Sequence, residues 1–283
     1  MADLVSVIMP VYNRENTVDQ ALESITAQTY KNIEIIVVDD GSDDRTYEIL
    51  GKYSRDLRLH VKNISHTGNI ALVRNVGYAL SQGQFIAVMD SDDICKPDRI
   101  EKQVAFLKAH PDVHILATWV EIIGDNKNEQ AVKLLETYNR DNNRAAIINA
   151  MLNEGSCLCN STVIMKRTAL ELLGGYDEDF RISEDYNMWM EAFLKGLNIY
   201  ILNEVTLMRR LHNNAVTSQF AGAQNVRFNI IRIKLKYLIV TGILKGQKIT
   251  VFGINSRNAI LDKVMKQYYN GVFHLQYEII LPN

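Results

Sequence analysis

Three carboxylates fall within four residues at Asp90-Ser91-Asp92-Asp93, directly after the apolar run Phe85-Ile86-Ala87-Val88-Met89. Two like charges about 4 Å apart repel by roughly 4 kcal/mol at an effective dielectric of about 20. Such a cluster is held most easily with something positive in it, and oxygen-only donors suit a hard divalent ion, Mn2+ or Mg2+. The spacing also imitates an EF-hand, with Asp90, Asp92, Asp98 and Glu101 at ligand positions. That reading fails because Ile94 stands at another ligand position and Cys95 stands where the loop needs glycine. The plain alternative is a solvated acidic turn, or carboxylates capping the helix that Pro97 opens.

Two further carboxylate pairs carry the same chemistry. Asp39-Asp40 ends the apolar run 33–38 and leads into the turn Gly41-Ser42. Glu184-Asp185 precedes an apolar-striped segment, 186–194, that predicts a helix. Each could equally be a strand-end turn or a helix cap. Arg209, Arg210 and His212 cluster after a predicted strand and supply the charged donors a diphosphate needs. His212 reads equally well as an ordinary surface or packed histidine.

These residues need elements to position them. Near-continuous apolar runs at 4–9, 33–38, 57–61 and 85–89 predict strands buried on both faces. Between them, Val18, Ala21, Leu22 and Ile25, and later Leu72, Val76, Ala79 and Leu80, recur at helical spacing. Strand and helix alternate, so the fold class is α/β, with a mainly parallel sheet and helices on both faces. Three strands then end on polar turns at one sheet edge: Tyr12-Asn13, Asp39-Asp40 and Asp90 to Asp93. Ligands bind at that edge in open α/β sheets. The second half predicts strands at 113–123, 161–165 and 199–211, and helices at 139–152 and 186–194.

The first domain is expected over residues 1–215. The tail, 216–283, predicts a long helix over 224–243 and a βαβ unit over 248–281. It lacks G-x-G-x-x-G, so no dinucleotide site is assigned to it. It reads as a C-terminal helical or α/β appendage for packing, for a homo-oligomer contact, or as the start of a further domain. Its basic face, with Arg227, Arg232, Lys234 and Lys236, reads first as solvated and second as a peripheral membrane contact.

A net charge of -2 and a pI near 6.3 exclude a global basic field for nucleic acid. Cys95, Cys157 and Cys159 are odd in number and lack zinc spacing, so they read as buried thiols in a reducing compartment. The chain reaches an apolar strand at once, with no basic-then-apolar leader, and no run attains the roughly 20 apolar residues of a membrane span. The expectation is a cytoplasmic protein that visits the inner face of the membrane.

The motifs 5–13 (VSVIMPVYN), 35–42 (IIVVDDGS), 71–77 (ALVRNVG), 89–93 (MDSDD), 174–177 (GGYD) and Glu184-Asp185 occur in an order that resembles the family 2 glycosyltransferases. The resemblance covers about residues 4–215. It implies the GT-A fold (Rossmann-like), a nucleotide-sugar donor and a D-x-D metal site. Asp92 is then the expected metal ligand, with Mn2+ or Mg2+ as cofactor. Asp90 contacts the ribose or stands behind the metal. Asp40 accepts from a uracil ring, with Pro10, Tyr12 and Asn13 lining that pocket and Arg74 on the nucleotide side. Asp185 is the expected base, and direct attack implies inversion. Asp39, Asp93, Glu184 and Trp189 are assigned to the acceptor side or to support. The Q-x-x-R-W motif of processive synthases is absent, which implies one sugar per event.

The expected function is therefore transfer from a UDP-sugar to a glycan, lipid-linked or protein-linked acceptor. Competing readings are a sugar-nucleotide-binding scaffold with weak catalysis and a sugar nucleotidyltransferase. The latter needs a glycine-rich basic loop after the first strand, where Pro10-Val11-Tyr12-Asn13-Arg14 stands instead. Paired carboxylates also serve glycoside hydrolysis, but that leaves the nucleotide-pocket pattern unexplained.

Overall fold

A computed structural model describes residues 2–124, 129–140, 144–211 and 224–241. The chain divides into two compact units, Met1–Gln219 and Phe220–Asn283. Of the second, the described part is one helix, Gln224–Val240, in which Ile233 and Tyr237, one turn apart, are buried. The βαβ expectation for 248–281 lies outside the described residues.

The first unit begins with β1 (Val5–Val11), α1 (Val18–Thr26), β2 (Ile33–Asp39), α2 (Thr46–Gly51), β3 (Leu59–Asn63), α3 (Ile70–Leu80) and β4 (Phe85–Val88). It continues with β5 (Ile94–Cys95), α4 (Arg99–Ala109), β6 (Ile115–Ile123), α5 (Glu129–Tyr138) and α6 (Arg144–Asn153). A 3-10 turn (Asn160–Thr162), β7 (Ile164–Lys166), α7 (Arg167–Leu173), α8 (Glu184–Leu194) and β8 (Ile199–Arg210) complete it.

One eight-stranded sheet runs β3-β2-β1-β4-β7-β6-β8-β5. The first four strands are mutually parallel, so the ends of β1, β2 and β4 share one edge, as their sequences require. Pro10 is tolerated in the central strand β1 because pairing with β4 has already ended at Ile8 opposite Val88. Every β1 residue is buried, as continuous apolar strands between helical layers demand. Helix α3 presses onto this sheet at Gly77, where a Cβ would lie 2.6 Å from Ile8 Cγ2. That close approach carries Arg74, one turn earlier, towards the strand ends.

The second half departs from expectation. β4–β7, β6–β7 and β5–β8 pair antiparallel, while β6–β8 pairs parallel. The helix expected over 139–152 is α6, which starts five residues later at Arg144, and α5 precedes it as a helix the sequence reading did not expect. Asn139 sits at the break, its amide mimicking a strand partner: Nδ2 donates to Val120 O and Oδ1 accepts from Val120 N, both at 2.8 Å. The strand expected over 161–165 begins as a 3-10 turn and becomes β7. Two-residue β5 matters most for the site. Its pairs Ile94–Met208 and Cys95–Leu207 bring the end of the acidic turn against the end of β8.

Candidate active site

The ends of β1 and β2 are tied together by polar side chains. Asn13 adopts a left-handed conformation, φ 49°, which asparagine tolerates. Its Nδ2 donates to Asp43 Oδ1 at 2.7 Å, its Oδ1 accepts from Asp43 N, and its backbone N–H donates to Ser42 Oγ. Asp39 Oδ1 accepts from Ser42 Oγ at 2.5 Å and from Ser42 N. Gly41 is required here: at φ 72° a Cβ would stand 2.7 Å from His66 N.

The buried Asp40 carboxylate accepts from Thr67 N, Thr67 Oγ1 and Gly68 N at 2.8–3.0 Å, fixing the loop that enters α3. His66, whose Nδ1 lies 2.9 Å from Asp40 O, stacks its ring on Tyr12 with centroids 4.1 Å apart. Tyr12 nevertheless stays 38% exposed, an aromatic surface at the mouth. Pro10 lies beneath it, in β1.

The acidic turn is clamped from below. Arg99 is fully buried, yet forms no ion pair among the described residues. Its Nη2 donates to Val88 O at 2.9 Å, its Nη1 approaches Cys95 Sγ at 3.0 Å, and its Nε donates to Gln103 Oε1. One guanidinium therefore holds both ends of the segment that carries Asp90, Asp92 and Asp93. The Asp90 N–H donates to Ser161 Oγ in the 3-10 turn. Arg99→Met is expected to lower the unfolding free energy by about 3 kcal/mol, since Val88 O and Gln103 Oε1 each lose a donor in the interior. Urea denaturation checks this, and an unchanged midpoint refutes the clamp.

Within the turn the carboxylates face different surroundings. Asp93 is buried and accepts from Arg210 N at 2.9 Å. Burial, with Asp92 and Asp90 adding to it, pushes its pKa up to about 7. Asp92 is partly exposed, with Oδ2 3.8 Å from Arg14 Nε, and its carbonyl accepts from Arg210 Nε. Asp90 Oδ1 accepts from Arg74 Nη2 at 3.0 Å.

Arg74 links this turn to α8. Its Nη1 donates to Glu184 Oε1, and its Cζ lies 5.4 Å from the Tyr176 ring centroid. Burial opposes the charge of Arg74, but Glu184 and Asp90 beside it hold its pKa above the ordinary value. One cation serves three carboxylates: Asp90, Glu184 and Asp185. Burial accordingly raises Glu184 to about 7, against the pull of Arg74, and raises Asp185 as well. α8 begins from Ser183 in the left-handed region, φ 69°, which costs about 1–2 kcal/mol in a residue with a Cβ. That turn sets Glu184 and Asp185 side by side in the first helical turn. Asp185 Oδ1 accepts from Tyr186 N at 2.6 Å, and Oδ2 has no partner among the described residues.

The structure thus gathers Asp90, Asp92, Asp93, Arg74, Glu184 and Asp185 around one set of strand ends, with Tyr12, Asn13, Asp39 and Asp40 at the adjoining ends. Arg209 lies beneath, its Cζ 5.0 Å from the Tyr138 ring centroid and its buried Nη1 without a partner among the described residues. Trp189 is fully enclosed in the core, so it supports α8 from inside. His212 lies outside the described residues. The three cysteines are free and buried, and burial pushes the Cys159 thiol up to about 12.

Sequence reasoning passed over Arg14, His66, Thr67 and Arg99. None left a signal of burial or contact: Arg99 and Gln103 flank the apolar stripe of Ile100, Val104 and Leu107 at i, i+4 spacing, as a solvated pair also would.

A hard divalent cation fits this donor set. Asp92 and Asp90 offer partly exposed carboxylate oxygens. Among the described residues no three acidic, histidine or cysteine side chains are placed to hold one metal ion together. Mg2+-type sites are commonly built that way, from one or two carboxylates with substrate phosphates and water completing the shell.

The chain is similar to known proteins along most of its length. The model of the glycosyl transferase family 2 matches residues 6–174. EpsE of Bacillus subtilis, a protein assigned to the glycosyltransferases, is 32% identical over 215 residues, covering 75% of this chain and 74% of its own. TuaG of the same organism, assigned to teichuronic acid biosynthesis, is 30% identical, covering 76% and 82%. Among solved structures, residues 1–349 of S. aureus TarS in complex with UDP-GlcNAc superpose with a TM-score of 0.67 at 21% identity, covering 93% of this chain and 71% of that one. A mannosyltransferase of Pyrobaculum calidifontis, in complex with GDP-Man and Mn2+, superposes with a TM-score of 0.59 at 18% identity, covering 86% and 65%.

Proposed function

The chain belongs to glycosyl transferase family 2 and is a glycosyltransferase of the GT-A fold, and we propose that it moves one sugar from a UDP-sugar to an acceptor hydroxyl with inversion at the anomeric carbon. The acceptor class is a glycan, a lipid-linked saccharide or a glycoprotein. The observation that carries this reading is Arg74, whose guanidinium joins the donor-side carboxylate Asp90 to the head of α8, where Asp185 stands.

Tyr12 offers its ring to the uracil, Pro10 and Asn13 form the pocket wall, and Asp40 is the acceptor for the base N–H. Arg74 and Asp90 hold the ribose side. Asp92 would hold the divalent cation, which when bound would supply charge neutralisation at the departing diphosphate. Arg209 adds donors to that diphosphate, a role the sequence reading also gives to His212.

Asp185 Oδ2 takes the proton of the acceptor hydroxyl as that oxygen bonds to the anomeric carbon. The bond from that carbon to the phosphate oxygen breaks, and UDP leaves with the electron pair. The raised pKa of Asp185 matches this role, since a base gains strength as its pKa approaches the working pH. Glu184, paired to Arg74, orients the network. Asp39 and Asp93 support the two turns. Among the described residues no helix is long and apolar enough to cross a membrane.

A panel of UDP-glucose, UDP-galactose, their N-acetylated forms and GDP-mannose tests the donor, each with Mn2+ or with EDTA. One UDP-sugar is expected to raise Tm by several degrees, more in Mn2+ than in EDTA, and to release UDP slowly with Mn2+ only. Stabilisation by GDP-mannose alone, or by no donor in Mn2+, overturns the assignment.

A further inference from the structure

We propose that Arg14 is an exchangeable counter-ion of the donor site, paired with Asp92 before loading and with the donor diphosphate after it. The inference rests on the UDP-sugar reading above and assigns a residue which that reading does not use.

The backbone of Arg14 is fixed. Its N–H donates to Thr46 Oγ1 at 2.7 Å, and its carbonyl accepts from Thr17 N and Val18 N at the start of α1. Its side chain is steered by one arm only, Nη1, which donates to Tyr12 O at 3.2 Å and Asn13 O at 3.0 Å. These are the carbonyls just past β1, beside the ring offered to the base. Nε and Nη2 form no hydrogen bond among the described residues.

Nε faces Asp92 Oδ2 at 3.8 Å, near enough for Coulomb attraction and too far for a hydrogen bond. Both side chains keep about a fifth of their surface in water. A pair of this kind is weak and easily released. A diphosphate bound beside the acidic turn and the Tyr12 ring would come within reach of the Arg14 guanidinium, whose Nη1 is held at Tyr12 O and Asn13 O. The planar fork of arginine binds two phosphate oxygens at once, which makes the diphosphate the stronger partner. With a divalent cation held at Asp92, the Arg14 guanidinium would lose its carboxylate partner. Metal and diphosphate therefore cooperate in moving Arg14 from the carboxylate to the phosphate.

The two halves of the exchange have opposite signs in a variant. Arg14→Ala removes a phosphate contact and also removes a competitor for Asp92. Isothermal titration with UDP in EDTA, and separately with Mn2+ alone, is expected to show UDP bound about tenfold more weakly and Mn2+ about threefold or more tightly than in the wild type. Arg14→Lys keeps the charge without the fork, and is expected to bind Mn2+ as the wild type does and UDP between the other two. It also serves if the alanine variant proves unstable. An effect through the fold alone weakens both ligands together and overturns the inference, as does unchanged affinity for both in a folded variant. A wild-type protein that binds neither UDP nor Mn2+ overturns the UDP-sugar reading itself. Wild-type binding with an unresponsive Arg14 overturns the Arg14 assignment alone.

Discussion

Asp185→Asn binds its UDP-sugar within about threefold of the wild type and loses about a thousandfold in kcat. A positioned general base contributes roughly 10²–10⁴ to a rate, and the amide keeps the shape of the carboxyl while losing its basicity. Asp185 Oδ1 is already held by Tyr186 N, so the oxygen that meets the acceptor is Oδ2. The amide can keep the Tyr186 contact through its oxygen and turn its NH2 towards the acceptor, where it cannot take a proton. Donor binding is retained because Arg74 bonds directly to Glu184 and Asp90, and not to Asp185. Single-turnover transfer at saturating donor, with the donor Kd measured separately, checks both halves. A tenfold loss or less assigns the base elsewhere. A large loss of donor affinity with little change in turnover makes Asp185 a binding group.

The reach of the sequence follows a physical line through this molecule. β1, β2 and β4 were legible because a parallel strand buried on both faces must be a continuous apolar run, and because each run stops at a polar turn. The shared edge of those turns followed from alternation alone. The placement of Arg209 and Arg210 beside the acidic turn did not, since it depends on β5, a strand of two residues that no periodicity reveals. The break at Asn139 is invisible for a similar reason: its amide pairs with Val120, nineteen positions earlier. Arg99 shows the limit most sharply. An arginine in the first turn of an amphipathic helix reads as solvated. Here it is buried because the acceptors it meets, Val88 O and Cys95 Sγ, lie on chain brought over it by the sheet.

The site thus holds two arginines in the interior for opposite reasons, and Arg74 is the one whose loss should be felt in both stability and activity. Arg74→Met is expected to destabilise the fold by about 3–5 kcal/mol at pH 8, because it strands the buried carboxylate of Glu184 without its cation. The loss is expected to shrink at pH 5.5. Glu184 in the folded protein stands at about 7, above the ordinary carboxylate near 4.3, so the native state binds more protons than the unfolded chain between those values. Stability from this group therefore falls as pH rises through about 7, and removing Arg74 deepens that fall.

Asp90 and Asp185 face the same position and add to the repulsion, with Tyr176 stacked on its other side. Arg209 lies over the Tyr138 ring, and Arg14 and Arg210 engage Asp92, so none of them stands in the place of Arg74. Urea unfolding at pH 5.5 and pH 8 measures the difference. Arg74→Met combined with Glu184→Gln is expected to recover most of the stability at pH 8, since a neutral amide no longer needs the charge, while transfer stays lost because Asp90 is no longer joined to the head of α8. Equal destabilisation at both pH values, or recovery of transfer in the double variant, rejects Arg74 as the electrostatic link between donor and base.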